Sequence, residues 1–208
     1  MTNLPTKESL KLVRLERLMD VVYALVIWRL FMILPRPQEG EDNTYTVLDL
    51  IIHDWGIFVL VLLALVIVIV FWLQNNSLFD KLKSTDRIHT AIVIFQIFFL
   101  LFFLYSIGAG LRLGAGNDSR LLESFAAFLL AISAYLGWYY AYRMGNLVSD
   151  DVPSEKSEEI LKRNLAEPIT ALLTIPFAFV GPIAWELSWF LYPFIRWAFH
   201  RLAKQHVK

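Results

Sequence analysis

Apolar positions along this chain gather into blocks about as long as one crossing of a bilayer, with short polar connections between them. No block alternates with the period of two that a spanning β-barrel requires, so the pattern predicts an all-α fold. The first block lies in RLERLMDVVYALVIWRLFMIL, residues 14–34. It predicts a span over about 18–34, entered from a helix capped by Ser9 and stopped by Pro35 and Pro37. A charge-free run predicts a second span over 55–73, ending in Trp72 and the polar set Gln74, Asn75, Asn76 and Ser77. The third, over 88–107, is rich in phenylalanine, holds one amide at Gln96 and leads into a glycine-rich loop, GAGLRLGAGND. A fourth, over 121–142, ends in the aromatic crowd GWYYAYR. The hydrophilic connection 143–164 follows, with a short surface helix introduced by Ser154.

The last apolar stretch, Pro168 to His200, is interrupted by Gly181-Pro182. It holds two spans of roughly 20 residues only if they turn tightly at that pair. The expectation is therefore a hairpin, with a fifth span over 165–180 and a sixth over 183–199 bent at Pro193. A four-span reading, with this hairpin lying in the interface, is the alternative. The uniformly apolar character of the hairpin argues against it.

Composition agrees with the pattern. Of 208 residues, 57% are hydrophobic, too many for a soluble domain, which makes this an integral membrane protein. The formal net charge is zero, but its distribution carries the topology. Lysine and arginine concentrate in the lead-in (Lys7, Lys11, Arg14, Arg17), the second and fourth connections and the tail (Arg201, Lys204, Lys208). The other connections hold only Arg36, Arg112 and Arg120, and the first is acidic, with Glu39, Glu41, Asp42, Asp49 and Asp54. Six transmembrane helices with cytoplasmic N- and C-termini, forming a single domain over 1–208, satisfy the positive-inside rule. A lead-in without a small-residue cleavage pattern makes the first block a retained span.

Candidate chemistry is sparse. The chain has no cysteine, which removes disulfides and thiolate sites. His53, His89, His200 and His206 are scattered without metal-ligand spacing, and no nucleophile elbow or phosphate loop is present. No catalytic residue, metal or cofactor is expected, and no nucleic-acid partner. Polar groups inside the spans are the informative feature, because a charge in hydrocarbon faces a partner, a cavity or a pathway. Arg14, Arg17 and Asp20 at the inner end of the first span share a depth with Asn75 and Asn76 at the inner end of the second. A clasp among them is the expected arrangement. Arg29 and Glu186 fall at a similar depth nearer the outer face, and an Arg29–Glu186 contact, within one subunit or between neighbours, is expected.

Two of these stretches also carry a family resemblance. Arg14-Leu-Glu-Arg-Leu18-Met19-Asp20 followed by VVYALVI resembles the R-x-x-x-F-S-D signature of the transmembrane protein 175 family of lysosomal and prokaryotic potassium channels. Phe71-Trp72-Leu-Gln-Asn75-Asn76-Ser-Leu-Phe79 resembles that family's Y/F-W-x-x-H-H-x-x-F. The resemblance implies a potassium channel in a multi-pass cell membrane, a prokaryotic plasma membrane, assembled as a homotetramer with the first helix around the axis. It also implies an apolar constriction: Leu25 matches the principal constriction residue, and Trp28 and Met32 match further pore-facing positions. All three fall on one helical face. Departures are the Leu18-Met19 pair in place of Phe-Ser, the bulk of Trp28, the positive Arg29 beside the path, and asparagines where the family has histidines. Nothing resembles a TVGYG carbonyl filter, so selectivity would rest on pore width and dewetting. A non-conducting scaffold or sensor of the same fold, and a transporter or membrane enzyme, are the competing readings.

Overall fold

The computed structural model describes residues 7–36, 46–114 and 116–205. Pro37, Glu39, Glu41, Asp42, His206 and Lys208 lie outside them. Among the described residues the secondary structure is helical apart from one isolated bridge between Leu82 and Val148. Helix α1 (Lys7–Phe31) runs unbroken from the charged lead-in through the first apolar block, with Ser9 inside it and not at its cap. At 25 residues it is about 37 Å long. A short helix, α2 (Val47–His53), occupies the first connection. The Thr46 side chain accepts from the Asp49 N–H while the Asp49 carboxylate accepts from the Thr46 N–H, a reciprocal cap that the sequence reading missed.

Helices α3 (Trp55–Phe79), α4 (Arg87–Leu113) and α5 (Asn117–Tyr139, continued by a π-helical turn over Tyr140–Met144) are each long and apolar enough to cross a membrane. Helix α4 overruns its expected end and takes in most of the glycine-rich stretch, leaving a connection of only a few residues from Gly114, where φ is +88°. Packing explains the extension. A Cβ at Gly110 would sit 2.7 Å from Oε1 of Glu123 on α5, so the bare backbone there lets the two helices close on each other.

Helix α6 (Ser154–Asn164) follows Pro153, and Ser154 is its first residue, without a side-chain cap. It buries Ser157, Ile160, Leu161 and Asn164 beneath a charged outer face, as its apolar spacing requires. Helix α7 (Ala166–Val180) ends at Gly181, whose φ of +149° suits glycine, and Pro182 opens α8 (Pro182–Ser188). The turn at Gly181-Pro182 is thus where the sequence places it.

The second limb differs from expectation. It is two helices, α8 and α9 (Leu191–Gln205), and the break falls at Trp189-Phe190 instead of a bend at Pro193. The proline ring would collide with the carbonyl four residues back, that of Trp189, so the chain leaves the helix before it. Pro193 then sits in the first turn of α9, where its missing N–H costs nothing.

The core lies where α1 meets α3 and α4, and where α5 packs between α4 and α7. At one end the connections are tied together. Lys83 N–H donates to the Leu147 carbonyl and Ser149 N–H to that of Lys81, and the Tyr140 hydroxyl donates to Asp86 Oδ2 at 2.6 Å.

Candidate pore-facing helix and its anchorage

Helix α1 presents two opposite stripes. Leu12, Leu15, Met19, Tyr23, Val26 and Leu30 are buried against the neighbouring helices, Leu30 completely. On the other side Leu18, Val21, Leu25, Trp28 and, in the turn just past the helix end, Met32 are exposed, Leu25 at 56% and Trp28 at 61%. These five recur at alternating steps of three and four, a mean of 3.5 residues, the repeat of a supercoiled helical seam. Arg14, Arg17, Asp20 and Arg29 are exposed as well. The bare surface of α1 is therefore an apolar seam with ionisable groups toward both ends.

What fixes this rotation of α1 is a buried chain of neutral hydrogen bonds. Asn75 of α3 donates through Nδ2 to the Tyr23 hydroxyl at 2.6 Å, and Gln96 of α4 donates through Nε2 to Asn75 Oδ1 at 2.9 Å. Tyr23, Asn75 and Gln96 are 1%, 4% and 3% exposed, so water is not available to replace either bond. Asp20 is held differently: its Oδ1 accepts from Trp72 Nε1 at 2.9 Å. The expected clasp takes a different form in the structure. Asp20 pairs with an indole and not with the amides, Arg14 lies exposed, and Asn76 forms no side-chain hydrogen bond among the described residues. Helical geometry accounts for the asymmetry between the two asparagines: consecutive residues diverge by about 100°, and only Asn75 points into the α1–α4 seam.

The residue before it points the other way. Gln74 donates to Glu167 Oε2 on α7 at 2.9 Å and more weakly to Asn164 Oδ1 at 3.4 Å. Tyr192 of α9 donates to Glu167 Oε1 at 3.1 Å, and Arg196 donates to the Tyr192 hydroxyl at 2.5 Å. Sequence reasoning singled out Gln74 and Gln96 only as polar residues and passed over Tyr23, Glu167 and Tyr192. The one signal for Tyr23 was its place on the inward stripe, three residues after Asp20.

Toward the opposite end, Arg29 and Glu186 are both exposed and form no ion pair with each other, so the version of that contact within one chain is absent. Trp185, beside Glu186, is fixed instead. Its Nε1–H donates to Ser124 Oγ at 2.9 Å, and Thr174 donates to the same oxygen at 2.8 Å. Among the histidines, His89 is buried beside the Thr85 hydroxyl at 2.9 Å, and His200 lies 3.2 Å from Glu159. No group of three metal-ligating side chains gathers among the described residues. Near the α4 start, burial disfavours the Asp86 carboxylate. The Tyr140 hydroxyl and the His89 N–H outweigh that and hold its pKa below the ordinary carboxylate value.

Together these features define an α-helical membrane protein in which one amphipathic-faced helix is locked by its neighbours and left bare along the opposite seam. Among solved structures the chain is similar to two potassium channels. One is a homologue of the lysosomal potassium-selective channel TMEM175 from Chamaesiphon minutus, at a TM-score of 0.70 and 16% identity, covering 93% of this chain and 98% of that one. The other is a single-site variant of the potassium channel MtTMEM175 in complex with a nanobody fusion, at a TM-score of 0.64 and 20% identity, covering 92% and 93%. No family model matches the chain, and no curated protein matches it in sequence. At these identities the shared property is the fold, along almost the whole of each chain.

Proposed function

We propose that this protein is the subunit of a homotetrameric, cation-permeable channel in a cell membrane, with six spans and cytoplasmic termini, and with α1 around the central axis. The observation that carries the reading is the bare seam of α1, which combines a 3.5-residue apolar repeat with exposed charges at both ends. A surface turned to acyl chains does not carry Asp20 and Arg29, because ionisable groups at membrane depth face a bundle interior or a water-filled path. The shared fold with potassium channels supports the ion, and Leu25, Trp28 and Met32 would form the constriction, gating by dewetting. Arg29 would place a positive ring beside that path, unfavourable to a cation unless neutralised, and the exposed Glu186 of a neighbouring copy is the group assigned to do so. Charge reversal should test this: Arg29→Glu or Glu186→Arg alone lowers flux, and the double reversal restores it. Failure of the double variant to recover removes the pair.

The decisive experiment is potassium flux from liposomes. Wild-type protein should conduct weakly, and Trp28→Thr should raise the rate severalfold by removing the bulkiest side chain of the proposed constriction. If neither protein moves potassium, the second reading stands: a non-conducting membrane scaffold of the same fold. The bulk of Trp28 is the observation that favours it, since four indoles on one axis can close a passage outright.

A further inference from the structure

We infer that Arg201 and Trp197, at the inner end of α9, form a headgroup site for an anionic phospholipid. The Arg201 guanidinium carbon stands 3.9 Å from the centroid of the Trp197 ring, a cation–π stack that holds the side chain against the helix. No acidic side chain among the described residues forms an ion pair with Arg201. Below it on the same stripe, at steps of four and three, Trp197 and Phe194 are 55% and 70% exposed, and Phe190, in the break before α9, is 66% exposed. Aromatic rings that are bare along the helix and crowned by an arginine match a surface lying along acyl chains with its charge at the phosphates.

Two rulers within the molecule put that arginine at the same depth as Arg87. The hydrogen bonds joining Gln96 to Asn75, and the adjacent Gln74 through Glu167 to Tyr192, mark one level across α3, α4, α7 and α9. From that level Arg87 lies nine residues toward the start of α4, and Arg201 nine residues toward the end of α9. At 1.5 Å per residue each is about 13 Å away, and Arg201 follows the sixth span expected over 183–199 by two residues. Both lie at the same end of the bundle. Asp86 is bonded to Tyr140, the Trp138 indole N–H donates to the Ser157 carbonyl of α6, and Glu159 of α6 pairs with His200. A stacked guanidinium keeps its in-plane donors free, and these fit two phosphate oxygens at once, where an ammonium would offer a single point of contact. An acidic headgroup adds net charge of the sign that Arg201 lacks.

Native mass spectrometry of the purified protein in mixed micelles tests the site, with phosphatidylglycerol and phosphatidylcholine as probes. Wild-type protein should retain phosphatidylglycerol over phosphatidylcholine. Arg201→Gln should lower the phosphatidylglycerol adducts about fivefold, the effect of one basic residue near a charged surface. Arg201→Lys should fall between, and Arg112→Gln, an exposed arginine at the far end of α4, should change nothing. Equal retention of the two lipids by wild-type protein, or an Arg201→Gln variant indistinguishable from wild type, overturns the assignment. Because the site is read from lipid adducts and not from ion flux, its outcome is independent of whether the assembly conducts.

Discussion

Asn75 and Asn76 look equivalent in the sequence and are not equivalent in the fold. Asn75 bridges Tyr23 and Gln96 where water is absent, so Asn75→Ala strands a phenol and an amide together. A buried group left unpaired costs about 1–3 kcal/mol, and the variant should melt at a clearly lower temperature in detergent. Asn76→Ala should stay within about 0.5 kcal/mol of wild type, as substitutions away from such features do. Equal melting of the two variants would show that the chain of hydrogen bonds does not anchor α1. What the sequence revealed at this scale was the type of residue: a polar set after Trp72 in the second apolar block, and one amide, Gln96, inside the third. Which amide met which partner was not readable, because a rotation of 100° between neighbours decides it and only packing sets the phase. Asp20 shows the same limit. Its expected amide partners gave way to Trp72, whose indole N–H donates to Asp20 Oδ1.

At the scale of elements, hydropathy located the long helices well because a run without charge has few alternatives to a crossing. It located their ends poorly where side chains other than the helix's own decide them. Helix α4 continues through Gly108 to Gly110, where α5 packs against it, and the glycine-rich string read in isolation looks like a loop. The break before α9 was legible in principle, since a proline constrains the carbonyl four residues earlier, but it was placed at the proline itself. The start of α4 gives a prediction of its own. Asp86 caps the helix by accepting from the His89 N–H and also accepts from Tyr140, and its pKa is lowered in the folded protein. A lowered folded pKa means the contribution is fully present above the ordinary carboxylate pKa of about 3.9 and is lost as pH falls through the lower folded value. Asp86→Asn should therefore flatten the acid limb of a melting-temperature profile relative to wild type while costing about 1 kcal/mol or less near neutral pH. An acid limb identical in the two proteins would exclude Asp86 as a contributor.

For the whole molecule, the seam of α1 makes assembly the central question. The absence of native cysteine allows a clean test. Leu25→Cys and Val21→Cys should form disulfide-linked dimers in membranes under mild oxidation, whereas Leu15→Cys, on the buried stripe, should not. Dimers formed through Leu15 and not through Leu25 would turn α1 around and remove the pore. Fold class and the approximate blocks were readable from sequence because burial in lipid imposes them on composition. The relation between copies was not, because nothing within one chain states what covers an outward face. One consequence lies in α3. Its consecutive residues Gln74 and Asn75 hold the α7–α9 hairpin and α1 by separate hydrogen bonds, so α3 works as a stiff coupling rod. Neither side can swivel about it without surrendering a hydrogen bond, and any twist of α1 is communicated to the hairpin.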